Sequence, residues 1–394
     1  MSRYHSYLNS ASAILSAYKG EEPFTSFIKK YFSQHKKFGS KDRRQVSHLC
    51  YGYFRLGKAL RNVPVEERVL IALFLCSHQP DDVLQELKPE WNEKIEWPFD
   101  EKLSLINHKL SIQEIFPWQD ALSEEMDKKS FTKSHLEQPA LFLRLRPGKE
   151  GIVKQKLTKG GIGFQIISGN CMALSNSSKV DALIELDKEA VVQDYSSQRV
   201  GELLEVVSTE LVRQRSSDEF RVWDCCAASG GKSIMAKDIL ADIDLIVSDV
   251  RESILINLEK RFVAAGINNY ESFVADLSKP LSISLSTFNL IIADVPCTGS
   301  GTWSRTPEQL YYFNEKKIDE YAALQKQIIA TVITQLEPGG YLLYITCSVF
   351  QKENEAMVDF IKEKFHLQEV KMELLKGYDK KADTLFAALL KKPL

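Results

Sequence analysis

Arg221-Val-Trp-Asp-Cys-Cys-Ala-Ala-Ser-Gly-Gly-Lys-Ser233 carries an apolar run into an acid, then a string of small residues that closes on two glycines and a lysine. The apolar run predicts a buried strand over 221–226, and the small residues predict a turn in which backbone can approach a ligand before a helix opens near Ile234. Reading outward, the same alternation continues: strands are expected at 245–250, 272–275, 289–295 and 341–346, with helices at 234–240, 253–265 and 317–336. This is the rhythm of an α/β fold with an open parallel sheet, whose ligands bind beyond the carboxyl ends of the strands.

Two nucleotide readings of the turn compete and both fail. Gly231-Lys232-Ser233 imitates the end of a phosphate-binding P-loop, yet that motif requires glycine where Cys226 stands, and the glycine spacing of a dinucleotide fold is absent. What remains is acidic. Asp224 ends the first strand, Asp249 ends the second, where an acid accepts hydrogen bonds from ribose hydroxyls, and Asp276 ends the third, facing an adenine amine. Acids rather than phosphate donors suit a nucleoside bearing a sulfonium cation. The candidate cofactor set is therefore Cys226, Ala227, Ala228, Ser229, Gly230, Gly231, Lys232, Asp249, Asp276 and Asp294, with an ordinary strand-to-helix turn as the bland alternative.

Asp294-Val-Pro-Cys297 follows a buried strand and precedes a glycine-rich loop, and Thr346-Cys347-Ser348 ends the next strand in the same manner. Both cysteines are thus expected over one crevice, which invites covalent chemistry. Carbon 5 of cytosine is too weak a nucleophile to accept a methyl group, but a thiolate added to carbon 6 makes it enamine-like. Cysteine suits the task because its free pKa, about 8.5, is lowered by a nearby cation or helix terminus. Asp294 either holds the exocyclic amine or, protonated, donates to ring nitrogen 3. A lone buried cysteine is usually an inert small hydrophobe. That reading stays with Cys50, Cys76, Cys171, Cys225 and Cys226 as thiols, while two cysteines at neighbouring strand ends reverse it.

The 394 residues exceed one domain core, so several units are expected. Residues 1–137 read as helical and 138–190 as a small α/β module opening on the alternating run Ala140-Leu-Phe-Leu-Arg-Leu-Arg; 191–394 hold the motifs above. The formal net charge of -2 conceals an asymmetry: residues 1–62 carry twelve Lys/Arg (Arg3 through Arg61) against three acids, the footprint of phosphate contacts or of a solvated helical face. Seven cysteines without a C-x-x-C pair suggest neither zinc nor a disulfide framework, and no metal site is expected. No apolar run reaches the roughly 18 residues of a membrane span and no leader is evident, so a reduced, cytoplasmic monomer is the expectation.

With these residues in place, the chain resembles the Sun (RsmB-like, NSUN) family of RNA 5-methylcytosine methyltransferases over residues 191–394. Gln193-Asp194, Ser197-Gln198, the Asp224 to Lys232 loop, Asp249, Asp276, Asp294-Val-Pro-Cys297, Pro307-Glu308, Gln325, Gly339-Gly340 and Thr346-Cys347-Ser348 all match its pattern. The resemblance implies a Rossmann-like class I methyltransferase domain that uses S-adenosylmethionine, preceded by an RRM-like module. It implies Cys347 as nucleophile, Cys297 as the residue assisting release of methylated RNA, Asp294 as the cytosine contact and Lys232 as an active-site lysine. Asp42-Arg43-Arg44, Tyr51-Gly52 and Arg55 are similar to the NusB-like extension of bacterial ribosomal RNA members, which points to small-subunit ribosomal RNA as partner, with transfer RNA the alternative substrate and a non-catalytic RNA-binding assembly factor the alternative class.

Three positions depart from the family pattern. Ser229 stands where proline is usual, Ile254 where arginine is frequent, and Asp383-Thr-Leu-Phe-Ala-Ala only partly matches the usual carboxy-terminal motif. None removes a residue assigned to chemistry.

Overall fold

The computed structural model describes residues 2–106, 110–214, 220–281 and 286–394. They pack as two compact units: Met1–Asp120 with Asp127–Gln138 and Thr302–Asn314, and Ala121–Met126 with Pro139–Gly301 and Glu315–Leu394.

The first unit is helical, its longer helices spanning Arg3–Ala17, Phe24–Gln34, Ser40–Arg55 and Val65–Cys76. The last of these is its axis: Arg68 through Leu75 are all buried, so the helix is surrounded rather than amphipathic. At about 1.5–3 kcal/mol for each buried Val, Leu, Ile or Phe side chain, that stretch contributes strongly to the stability of the unit. Arg68 has no exposure; its Nε donates to the Ala59 carbonyl at 3.1 Å, its Nη2 to Gly57 at 2.9 Å, and its guanidinium lies over the rings of Tyr53 and Tyr311. Part of this core comes from a distant segment. In the Pro307–Tyr312 helix, Glu308 accepts the Phe24 N–H at 3.2 Å and the Tyr312 hydroxyl donates to the Tyr18 carbonyl at 2.9 Å.

The basic count of residues 1–62 overstates the charge available to a partner. Arg55 is buried, donating to the carbonyls of His135 and Glu137 and to the Gln138 side chain, so it serves the fold rather than a phosphate. Lys58 likewise donates to the carbonyls of Tyr311 and Phe313. Lys29, Lys30, Lys36, Lys37, Lys41, Arg43 and Arg44 remain exposed.

The second unit holds two sheets. Strands β1 (Leu141–Leu145), β2 (Phe164–Ser168), β3 (Cys171–Leu174) and β4 (Ala190–Val192) form the smaller one in the order β2-β3-β1-β4, with antiparallel pairing throughout and the Glu150–Lys159 helix between β1 and β2. The larger sheet has seven strands: β5 (Phe220–Asp224), β6 (Ile243–Asp249), β7 (Glu271–Val274), β8 (Phe288–Asp294), β9 (Leu336–Thr346), β10 (Gln368–Leu375) and β11 (Leu385–Lys391), ordered β10-β11-β9-β8-β5-β6-β7. Strands β5 to β9 pair in parallel as the sequence predicts. Two further strands that the sequence did not announce make the sheet mixed, because β11 runs antiparallel to both β9 and β10.

The core strands read as apolar runs because helices cover both faces. Val222, Leu245, Val247, Leu290, Ile292 and Leu343 are fully buried in one cluster. Between β5 and the Gly231–Leu240 helix, Gly230 adopts φ +81°, and a Cβ there would sit 2.6 Å from the Phe262 ring. Only glycine fits. The small sheet is tied to the large one through a buried ion network: Arg144 and Arg146 converge on Asp238 of the Gly231–Leu240 helix at 2.6 and 2.7 Å.

Candidate active site: a cysteine pair beside an acid-lined cavity

Parallel strands deliver their carboxyl ends to one edge of the sheet, so the residues that end them meet there. Beyond the ends of β5, β6, β8 and β9 lies a cavity of about 460 Å³ lined by Cys226, Ala228, Asp249, Asp276, Asp294, Cys297 and Cys347 among others. Ala227, Ser229, Gly230, Gly231 and Lys232 are not in its wall; they build the loop behind it.

That loop is held by its own acids. Asp249 accepts the Ala228 N–H at 3.1 Å through one oxygen and the Arg251 N–H at 2.9 Å through the other. Ala228 has φ +46°, a left-handed conformation that costs a non-glycine residue on the order of 1 kcal/mol, and the Asp249 bond holds it there. Ser229, where proline is usual, turns away from the cavity: Arg261 donates to both its hydroxyl and its carbonyl at 2.9 Å and, through its other nitrogens, to Asp187 of the smaller sheet's connections. The departure thus supplies a tether. Asp276 stands at the lip, exposed, its carboxyl lowered to about 2 by hydrogen bonds from Lys279 and Ser278.

Asp224 ends β5 as the sequence predicts, but it does not face the cavity. It is fully buried beneath the loop; one oxygen accepts the Ser233 hydroxyl at 2.6 Å and the other has no partner among the described residues. Burial, only partly offset by Ser233 and Lys232, pushes its carboxyl up to about 7. Lys232 donates from Nζ to Asp294 at 2.5 Å; burial works against its charge, but the Asp294 carboxylate prevails and raises the lysine above its ordinary value. With Lys232 and Ser233 so engaged, neither donor of a P-loop is directed at a phosphate.

The cysteines meet as the sequence predicts: Cys297 Sγ and Cys347 Sγ are 3.2 Å apart, both partly accessible. The hydrogen bond to Cys347, then burial and the charge of its neighbour, push the Cys297 thiol well up. Beneath them lies a polar network that sequence reasoning missed. The Glu353 carboxylate, with no exposure, accepts from Thr298 N–H at 2.9 Å, Thr298 hydroxyl at 2.6 Å, Ser348 hydroxyl at 2.5 Å and Gln325 amide at 3.0 Å. Asn354 receives the Thr346 hydroxyl at 2.6 Å and donates to the Ser348 carbonyl at 3.0 Å. Gly301 closes the arrangement by donating to the Cys347 carbonyl at 2.9 Å, and a Cβ on it would lie 1.9 Å from the Thr384 carbonyl oxygen. Gln325 and Ser348 were flagged through the family pattern; Glu353 and Asn354 carry no local signal, because their partners are brought in by the fold.

A mixed seven-stranded sheet with this strand order, and an acid-lined cavity at its parallel carboxyl edge, define a Rossmann-like methyltransferase fold. A family model described as 16S rRNA methyltransferase RsmB/F matches residues 211–387, the stretch that carries most of the motifs resembling the Sun group. Among curated relatives, a probable ribosomal RNA small subunit methyltransferase B of Synechocystis is 26% identical over 272 residues, covering 65% of this chain and 58% of the relative. The ribosomal RNA small subunit methyltransferase B of Salmonella arizonae is 31% identical over 176 residues, covering 43% of this chain and 37% of the relative. The chain therefore spans between about a third and three fifths of the length of these relatives. In fold it is similar to PH0851, with TM-score 0.70, 18% identity and coverage of 100% of this chain and 99% of that one. It is also similar to NSun6 from Pyrococcus horikoshii, with TM-score 0.58, 15% identity and coverage of 70% and 97%.

Proposed function

We propose that this chain transfers a methyl group from S-adenosylmethionine to carbon 5 of a cytosine in RNA, through a covalent adduct with Cys347. The observation that carries the reading is the cysteine pair, 3.2 Å apart, opening on the acid-lined cavity. The cavity suits the cofactor: Asp249 and Asp276 are acceptors for hydroxyl and amine groups, and the wall offers no cluster of phosphate donors. When bound there, S-adenosylmethionine supplies the electrophilic methyl group.

The residues divide the work. An electron pair of Cys347 sulfur forms the bond to cytosine carbon 6, and the ring's double-bond electrons make carbon 5 nucleophilic. Asp294, already accepting from Lys232, stands as an acceptor and so suits the exocyclic amine rather than donation to nitrogen 3. After methylation, transfer of the carbon 5 proton to water returns electrons to the ring and breaks the sulfur–carbon bond; Cys297, hydrogen-bonded to Cys347, assists this release. The exposed lysines and arginines of the helical unit contact RNA phosphates. Small-subunit ribosomal RNA is the substrate best supported by the names of the relatives, and the cytoplasm is the setting proposed with it.

Purified protein, labelled S-adenosylmethionine and ribosomal RNA from a strain lacking the protein are expected to yield label at cytosine carbon 5. Absence of label on every ribosomal and transfer RNA would overturn the reading. Cys347→Ala abolishes the reaction, whereas Cys297→Ala accumulates a protein–RNA adduct that survives a denaturing gel; the opposite pattern reverses the two roles.

A further inference from the structure

Glu353 lies under both cysteine loops and is not among the residues that line the cavity. Its two oxygens receive four hydrogen bonds, three of them from residues next in sequence to a cysteine: the Thr298 N–H and hydroxyl beside Cys297, and the Ser348 hydroxyl beside Cys347. The fourth donor, Gln325, also donates to the Pro296 carbonyl at 3.0 Å, so the peptides on both sides of Cys297 are anchored to this one carboxylate. The Tyr344 hydroxyl donates to the Glu353 carbonyl at 2.7 Å and fixes its backbone.

All of these donors are neutral. Among the described residues no cation pairs with Glu353, which is unusual for a fully buried carboxylate, since a buried charge is normally paired or neutralised. Burial raises its carboxyl above the ordinary value, the hydrogen bonds from Ser348, Thr298 and Gln325 oppose that rise, and the ionised form acts on its neighbours. The titratable groups around it are Cys297, Tyr321 and Tyr344, and the positive group of the site, Lys232, is on the Asp294 side, where it interacts with Cys347. The Gly299 amide favours a Cys297 thiolate, but the bond to Cys347, burial and the neighbouring charges, Glu353 among them, act the other way and dominate.

We propose that Glu353 is a positioning residue for the cysteine pair: it fixes the two sulfurs within hydrogen-bond distance, and its unpaired charge keeps Cys297 the proton-bearing member. The consequence for catalysis rests on the methyl-transfer reading, since it explains why two adjacent and chemically identical groups would take different roles. The polarity itself is a property of the protein alone.

The experiment therefore uses no RNA and no cofactor. Full-length wild type, Glu353→Gln and Glu353→Ala are alkylated with iodoacetamide from pH 6 to pH 10, and initial rates at Cys297 and Cys347 are read from their separate peptides by mass spectrometry. In the wild type, Cys347 is expected to react at lower pH than Cys297; the reverse order overturns the proposal without any variant. Glutamine keeps the size and most of the hydrogen bonding but removes the charge, so Glu353→Gln is expected to raise the Cys297 rate at pH 8 by about threefold or more, equivalent to roughly half a pKa unit. An unchanged Cys297 profile in a Glu353→Gln protein with wild-type circular dichroism also overturns it. Glu353→Ala, which loses the anchor as well, is expected to blur the difference between the two cysteines. A protein that passes this test and methylates no RNA refutes the proposed function while leaving the polarity intact.

Discussion

Asp224 shows how one buried side chain links the cofactor loop to pH. Burial holds its carboxyl near 7 in the native state, above its ordinary value of 3.8. Between about pH 4 and pH 7 the native protein keeps a proton that the unfolded chain has released, so stability falls as pH rises across that window, by something on the order of 4 kcal/mol. Asp224→Asn removes the penalty. Thermal unfolding should show the variant gaining in Tm over wild type at pH 8 but not at pH 4, and an equal difference at both values would show that the carboxylate is not the cause. The cysteines, Asp249 and Asp294 were legible in the sequence because each ends a recognisable apolar strand. Glu353 was not, because an acid in a polar stretch after Ser348 is indistinguishable from a solvated one until the fold turns it inward.

At the scale of elements, the coupling between the small sheet and the Gly231–Leu240 helix depends on Asp238. Arg144, 3% exposed, has only that carboxylate as its ionic partner among the described residues, and Arg146 shares it. Asp238→Ala leaves both guanidiniums without it, and the expected loss is about 3–5 kcal/mol in a chemical denaturation experiment, since removing one side of a buried pair strands the other. A loss below about 1 kcal/mol would mean that water replaces the carboxylate. The parallel strands were legible for the reason that makes them buried: helices on both faces demand unbroken apolar runs. The antiparallel pair was not. β10 is an edge strand with only Leu374 and Leu375 buried, so its pattern carries no strand signal, and without it the direction of β11 had no partner to reveal it.

For the molecule as a whole, the informative quantity is where charge remains after folding. Counting residues in the sequence located the basic region, but packing withdraws Arg55 and Lys58 from it. The exposed remainder is expected to act through phosphates. A Lys36→Glu, Lys37→Glu, Arg44→Glu triple variant should bind RNA more weakly and with a shallower dependence on salt, the slope dropping by about 0.7–0.9 for each phosphate no longer neutralised. Reversing Lys58 is predicted to destabilise the helical unit instead, measurable as a lower Tm. An unchanged salt slope in the triple variant would move the RNA surface elsewhere.

The segment Thr302–Asn314 has a consequence for how the protein is made. The helical unit is nearly all translated by Gln138, yet the ring of Tyr311 over Arg68 and the Glu308 carboxylate on the Phe24 amide arrive only after the whole of Pro139–Gly301 has left the ribosome. The amino-terminal part of the nascent chain must wait, incomplete, for the middle of the second unit. Chains stalled before Thr302 are expected to lose their amino-terminal region to brief proteolysis, and chains stalled well past Asn314 to resist it. Fragments cut at Gln138 should share the early chains' fragility, so the two halves of this protein are not separable at the point where the sequence changes character.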